Sequence, residues 1–328
     1  MKRHLGLAAL LLLLPSVGRS EESYDVWSRP ARYRFEYRVD ASLLTTAKAK
    51  RLRVWLPYPA DTDDQKVLSA EVESPWAHRV TRDTFGNRMV YVEGNDAPPS
   101  DIVMRFVVER RPTGGIPRSE VTADSPLDPA RYLKSNKLIP LDGLIRDVAA
   151  EQGRGIDDQG AKARAFYDYV VRTMTYNKDG TGWGRGDAVW ACTNKRGNCT
   201  DFHSLFVGMA RSQNIPARFL IGFPIPAGVE RGAIPGYHCW AEYFSSDRGW
   251  IPLDASEAKK SGWFDAYFGW LPSDRIQFTV GRDLTLEPPQ DGPPLNYFIY
   301  PYVEADGVPV ADVKATFAFE RLPLTSSS

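Results

Sequence analysis

The sequence predicts an α+β protein in which a β-sandwich precedes a core of helices and sheet. Three observations carry this. Residues from about 30 to 110 alternate polar and apolar side chains between turn signals. Amphipathic helical patterns follow, and strand patterns then resume toward the end of the chain.

The 328 residues suffice for one large domain or two ordinary ones. The chain opens with Lys2, Arg3 and His4, followed by an apolar run over residues 5–14 that is too short to span a bilayer. Pro15 breaks the run, and Gly18 and Ser20 are small residues suited to cleavage, so residues 1–20 read as a signal peptide. The expectation is an exported protein, periplasmic or secreted, with no membrane insertion once the leader is removed. Residues 21–115 read as the sandwich, with strands such as Arg32-Tyr33-Arg34-Phe35-Glu36-Tyr37-Arg38-Val39 and turns at Pro57-Tyr58-Pro59 and Gly86-Asn87.

Residues 116–137 carry Pro and Gly without periodicity and read as a linker to a core at residues 138–280. In that core Leu144, Ile145 and Val148 share one helix face, with Gly153 as a left-handed cap. A second helix, residues 159–175, buries Ala163, Phe166, Tyr167, Val170, Val171 and Met174. The glycine-rich residues 180–186 lack the setting of a nucleotide-binding loop and read as an open loop. Strands are expected at residues 275–280, 296–300 and 315–319, the last two within a C-terminal segment, 281–328. They either extend the core sheet or return to the sandwich. Residues 325–328 should fray.

Lys+Arg and Asp+Glu are both 41, and no basic cluster interleaves with aromatics, which sets nucleic-acid binding aside. The three cysteines, Cys192, Cys199 and Cys239, cannot staple a chain of this length. Their odd number leaves at least one thiol free or paired with another chain.

Cys199 follows Gly197-Asn198 and opens a helix whose buried stripe is Phe202, Leu205, Phe206, Met209 and Ala210. Unpaired backbone N–H groups at a helix start stabilise a thiolate. Such a nucleophile needs a base, and the base needs an orienting group. His78 falls among the N-terminal strands. His203 lies one helical turn from Cys199 and reads as structural, with the role of base as its alternative. His238 lies in a strand read over residues 236–244, and Trp250-Ile251-Pro252-Leu253-Asp254 returns after a turn at residues 245–249. A hairpin centred on residue 246 sets His238 opposite or nearly opposite Asp254, within the roughly 5 Å between cross-strand Cβ atoms.

In their order, Gly197-Asn198-Cys199, Ile215-Pro216-Ala217-Arg218, His238-Cys239-Trp240 and Trp250…Asp254 resemble the motifs of transglutaminase-like proteins. The resemblance covers about residues 140 to 260, with Asn214 where the family pattern has Gly. It implies a papain-like α+β core with Cys199, His238 and Asp254 as a catalytic triad. In the mechanism these parts suggest, Cys199 attacks an amide carbonyl, His238 protonates the leaving amine, and water or a second amine resolves the thioester. The backbone N–H of Cys199 is the first oxyanion donor, with an indole of Trp183 or Trp190 as a candidate second. Trp240 shares the His238 side of its strand and is expected to line the cleft. Cys239, facing away from His238, is a candidate disulfide partner for Cys192. The cysteine and histidine spacings match no common zinc pattern, and neither metal nor cofactor is expected. The expected substrates are peptide or protein amides, peptidoglycan-like amides among them by location. An amine acyltransferase that makes cross-links is the alternative activity, and a silent binding module is the alternative of another class.

Overall fold

The structure, a computed structural model, describes residues 26–40, 49–95, 100–114 and 128–324. The predicted leader, most of the predicted linker and residues 325–328 lie outside the described residues. No described helix is long and apolar enough to cross a membrane.

Two five-stranded sheets make the sandwich. One runs β11 (Arg231–Ala233), β18 (Ala315–Leu322), β1 (Ala31–Val39), β6 (Ile102–Arg110), β3 (Gln65–Glu73). The other runs β17 (Val308–Pro309), β16 (Tyr302–Ala305), β2 (Leu52–Pro57), β5 (Arg88–Gly94), β4 (His78–Arg82). The predicted alternation is visible in β1, where Tyr33, Phe35, Tyr37 and Val39 are buried and the residues between them are partly or fully exposed. Both sheets draw on the C-terminal strands, so the last strands return to the sandwich. The strand expected at residues 296–300 does not form. That stretch is irregular, because Tyr297, Phe298 and Ile299 are used as packing side chains under the two sheets rather than as a ladder.

The second core is built on a four-stranded antiparallel sheet, β13 (Gly249–Leu253), β12 (His238–Ser245), β10 (Ala217–Pro224), β15 (Arg275–Val280), with a short separate pair, β7 (Thr113–Gly114) and β14 (Trp270–Leu271). Helices α1 (Gly143–Gln152), α2 (Gln159–Thr173), α3 (Ala188–Asn194) and α4 (Cys199–Ser212) pack with this sheet. Gly153 follows α1 at φ −90°, so that helix ends without the expected left-handed residue. Asn214 does take φ 61° after α4, a conformation Asn tolerates. Phe219, Ile221 and Phe223 of β10 and Ile276 and Phe278 of β15 enter the sandwich core, whereas Leu220 joins the helix-side core. Alternation along β10 thus divides its side chains between two hydrophobic cores.

The sheet is pinned tightly at one point. Gly222 lies opposite His238 on one side and Gln277 on the other, where the register slips. A Cβ there would sit 1.9 Å from the Ile276 carbonyl oxygen. Gly222→Ala should therefore cost about 3 kcal/mol as an overpacked backbone contact, read as a fall in the thermal midpoint. An unchanged melt would mean that the strands stand further apart than this.

Candidate active site

The site forms at the mouth of α4. Asn198 is the N-cap: its side chain accepts from Thr200 N at 2.9 Å, while Asp201 accepts from Asn198 N at 2.9 Å, completing a reciprocal cap. The Asp201 carboxylate also accepts from Gly184 N (2.7 Å) and Gly186 N (3.0 Å), so it ties the glycine-rich loop to the helix start. This fold-back explains Gly197, which sits at φ 149° and whose added Cβ would lie 2.3 Å from Asp201 Oδ2. The short parallel pair β8 (Thr175–Tyr176) and β9 (Arg196–Gly197) delivers the chain to this turn.

Cys199, His238 and Asp254 come together there. The Cys199 thiol lies within the influence of both the His238 ring and Cys239, which act on its ionisation. His238 Nε2 meets Asp254 Oδ2 at 2.6 Å, which leaves Nδ1 for the sulfur. The hairpin register differs slightly from the predicted one. Ala241 pairs with Leu253 and Ser245 with Gly249, so the turn centres on Asp247 and Asp254 falls level with residue 240. Gly249 at φ 71° closes a three-residue turn, which accounts for the offset. Asp254 has left the strand and become the N-cap of α5 (Ala255–Ser261), and from that position its carboxylate reaches diagonally to His238.

Asp254 is fully buried and fully engaged. Oδ2 accepts from His238 and from Arg275 Nη1 (3.0 Å), and Oδ1 accepts from Ser256 Oγ (3.0 Å) and Glu257 N (2.9 Å). Burial alone would raise this carboxyl, but the His238 charge and the hydrogen bond from His238 hold it well below its ordinary value. Burial likewise depresses His238, and the Asp254 charge and bond together with Cys199 outweigh it, lifting the imidazole to about 10. At Cys199 burial pushes the thiol up. Hydrogen bonds from Cys239 and His238 and the charge on His238 reverse this and hold it well below the usual cysteine range. The arrangement favours a thiolate–imidazolium pair anchored by a carboxylate.

His203 serves as a strut. Its Nδ1 donates to the Cys199 carbonyl (2.7 Å), since a carbonyl can only accept, and its Nε2 accepts from Ala255 N (3.1 Å). It thereby links α4 to α5 behind the site. His78 is exposed on β4. Cys239 departs from its expectation. It packs beside Cys199, and its Sγ lies 3.8 Å from Thr200 Oγ1 and 3.8 Å from His203 Nδ1. Cys192 belongs to the helix-side core with Lys195 Nζ at 3.7 Å, and all three cysteines are free. The contemplated Cys192–Cys239 disulfide is therefore absent, because the two sulfurs lie in different cores.

The tryptophans also differ from expectation. Trp240 is fully buried, stacked 6.3 Å from His238 and 5.2 Å beneath the Arg275 guanidinium, so it backs the imidazole and does not line a cleft. The Trp183 indole donates to Gly180 O at 3.0 Å and is engaged within its own loop, and Trp190 packs on Gly182. Three functional neighbours escaped the sequence reading: Arg275, Glu257, whose Oε1 is 3.8 Å from His238 Nε2, and Tyr237, whose hydroxyl meets Asn198 Nδ2 (3.1 Å) and Thr200 Oγ1 (2.9 Å). Arg275 carried one signal, a charged residue opening an otherwise buried strand.

A thiol at a helix mouth, set against a histidine–carboxylate pair on an antiparallel sheet, defines an α+β protein of the papain-like kind. Residues 146–255 match the family model of the Transglutaminase-like superfamily. It is 25% identical over 300 residues to an uncharacterised protein of Haemophilus influenzae, spanning 78% of this chain and 81% of that one. Over 141 residues it is 25% identical to the uncharacterised protein YebA of Bacillus subtilis, 39% of this chain and 19% of that protein. Its fold is similar to the crystal structure of a proposed cysteine protease from Cytophaga hutchinsonii, with a TM-score of 0.61 at 14% identity, covering 92% of this chain and 93% of that one.

Proposed function

We propose that this protein is an exported cysteine enzyme that cleaves amide bonds through a thioester on Cys199, with His238 and Asp254 completing a catalytic triad. The observation that carries the reading is the continuous line from the Cys199 thiol through the His238 ring to the Asp254 carboxylate, closed at 2.6 Å. The Cys199 sulfur adds to the amide carbonyl, and the charge developing on oxygen meets the N–H groups at the start of α4. Collapse breaks the C–N bond as His238 passes its proton to the departing amine. Water, deprotonated by the now neutral His238, then attacks the thioester, releases the acid and returns the thiol. Asp254 holds the ring orientation and the imidazolium charge throughout. Location outside the cytoplasm rests on the leader-like residues 1–20 and makes peptide and peptidoglycan-like amides the substrates to try.

The test is mass spectrometry of such peptides incubated with the protein, with and without a primary amine. New carboxyl ends that vanish in Cys199→Ala support hydrolysis, and amine adducts that vanish in Cys199→Ala assign transfer instead. A folded wild type that yields neither product and no Cys199 acyl adduct, alongside an equally inert Cys199→Ala, would leave a binding module.

A further inference from the structure

A cavity of about 350 Å³ opens directly on His238, and no step of the proposed chemistry so far uses it. Trp27, Trp263 and Tyr267 form its aromatic wall, with Trp27 5.9 Å from Trp263 and 4.9 Å edge-on to Tyr267. Glu257 and Asp274 supply carboxylates. Cys199 is not part of the lining, and Glu257 Oε1 lies 3.8 Å from the Nε2 edge of the imidazole, so the cavity lies beside the ring on the side away from the sulfur.

The charges around it do not cancel. Asp254, Glu257 and Asp274 face Arg275 and Lys260, while the thiolate and imidazolium neutralise each other. Arg275 gives its Nη1 to Asp254, and Lys260 pairs with Glu257. Asp274 keeps only a loose contact, its Oδ1 3.6 Å from Arg275 Nε, and that oxygen is buried without a hydrogen-bond donor. That oxygen faces Arg275 and has no open surface, so Asp274 acts on the cavity through its charge. Two indoles and a phenol beside it offer π faces and edges to a cation. An ammonium group placed here would cancel the surplus charge.

We infer that this cavity holds a non-reacting ammonium group of the substrate, as on a lysine-type side chain near the scissile amide. The inference rests on the amide-cleaving role proposed above, but the binding it asserts can be measured without turnover. The substrate class becomes peptides that carry a long cationic side chain near the bond that is cut.

The experiment is calorimetric titration of full-chain Cys199→Ala protein with lysinamide and with norleucinamide, which has hydrogen in place of the terminal ammonium. Lysinamide should bind about tenfold more tightly, the gain expected when a desolvated cation meets an aromatic wall and a carboxylate. The ratio should fall toward one in Cys199→Ala/Asp274→Asn, and should fall in part in Cys199→Ala/Glu257→Gln, a half-exposed site that tests the idea even if the Asp274 variant fails to fold. Equal affinities, no binding of either probe, or a ratio that survives in the folded variants would overturn the inference. Selective binding by a protein that never acylates at Cys199 would sink the enzymatic reading and leave the cation site standing. Cleavage without selective binding would do the reverse.

Discussion

Alkylation of Cys199 by iodoacetamide is expected to stay nearly flat between pH 6 and 8 in the wild type and to become steeply pH-dependent in His238→Ala. An ordinary cysteine near pKa 8.5 is on the order of 1% thiolate or less at pH 6 and gains roughly tenfold per pH unit. Here the His238 ring stays protonated to about 10 and the thiol is held well below its usual range, so the pair persists across neutrality. The wild-type rate should therefore vary less than about threefold over this interval, falling only as acid protonates the sulfur. Without the imidazole, burial at 2% exposure pushes the thiol up, with the hydrogen bond from Cys239 as partial relief. His238→Ala should react about tenfold to a hundredfold more slowly at pH 6, the loss of thiolate being softened by the higher nucleophilicity of a more basic sulfur. The ratio of rates at the two pH values isolates ionisation from access, because the same reagent must pass the same walls at both. Parallel flat profiles in wild type and variant would remove His238 as the activating group.

What was legible in the sequence was whatever depends on neighbours in the chain. The alternation in β1 and the stripe Phe202, Leu205, Phe206, Met209 have short periods, and the start of α4 announces itself through Gly197 and Asn198. The meeting of His238 with Asp254 was legible because the hairpin brings the two together. The offset of that hairpin was not, since Gly249 at φ 71° moved the turn centre by one residue. Features that depend on distant strands were hidden. Arg275 reaches Asp254 across the sheet, from β15 at one edge to the end of β13 at the other, with β10 and β12 between them. Cys239 was placed from strand alternation alone as pointing behind the site, yet that face of β12 meets the first turn of α4, and its sulfur lies beside Thr200 and His203. The acidic, aromatic cavity joins Trp27, near the start of the described chain, to residues beyond 250, and no local pattern connects those segments.

Replacing Asp254 by Asn should produce the largest loss of stability of any change in the site. The carboxylate receives four donors, and two of them, His238 and Arg275, carry buried positive charge. An amide keeps a single acceptor oxygen and no charge, so it leaves a guanidinium at 3% exposure with only the looser Asp274 contact at 3.6 Å. Breaking a buried pair from one side costs about 3–5 kcal/mol, far more than the intact pair is worth against an apolar replacement. The pH dependence has a definite sign. Because His238 is raised to about 10, its contribution is complete below its unfolded value, about 6.5, and disappears as pH climbs toward 10. Asp254 is depressed, so its contribution is present above about pH 4, the unfolded carboxylate value, and is lost as acid protonates it in the folded state. Urea denaturation of wild type and Asp254→Asn should thus differ most between about pH 4 and 6.5 and converge in part by pH 10, where only the Arg275 pairing still separates them. A gap that stayed constant over that range, or widened with rising pH, would mean that the imidazole carries no charge in the folded protein, and the thiolate would then lack its partner.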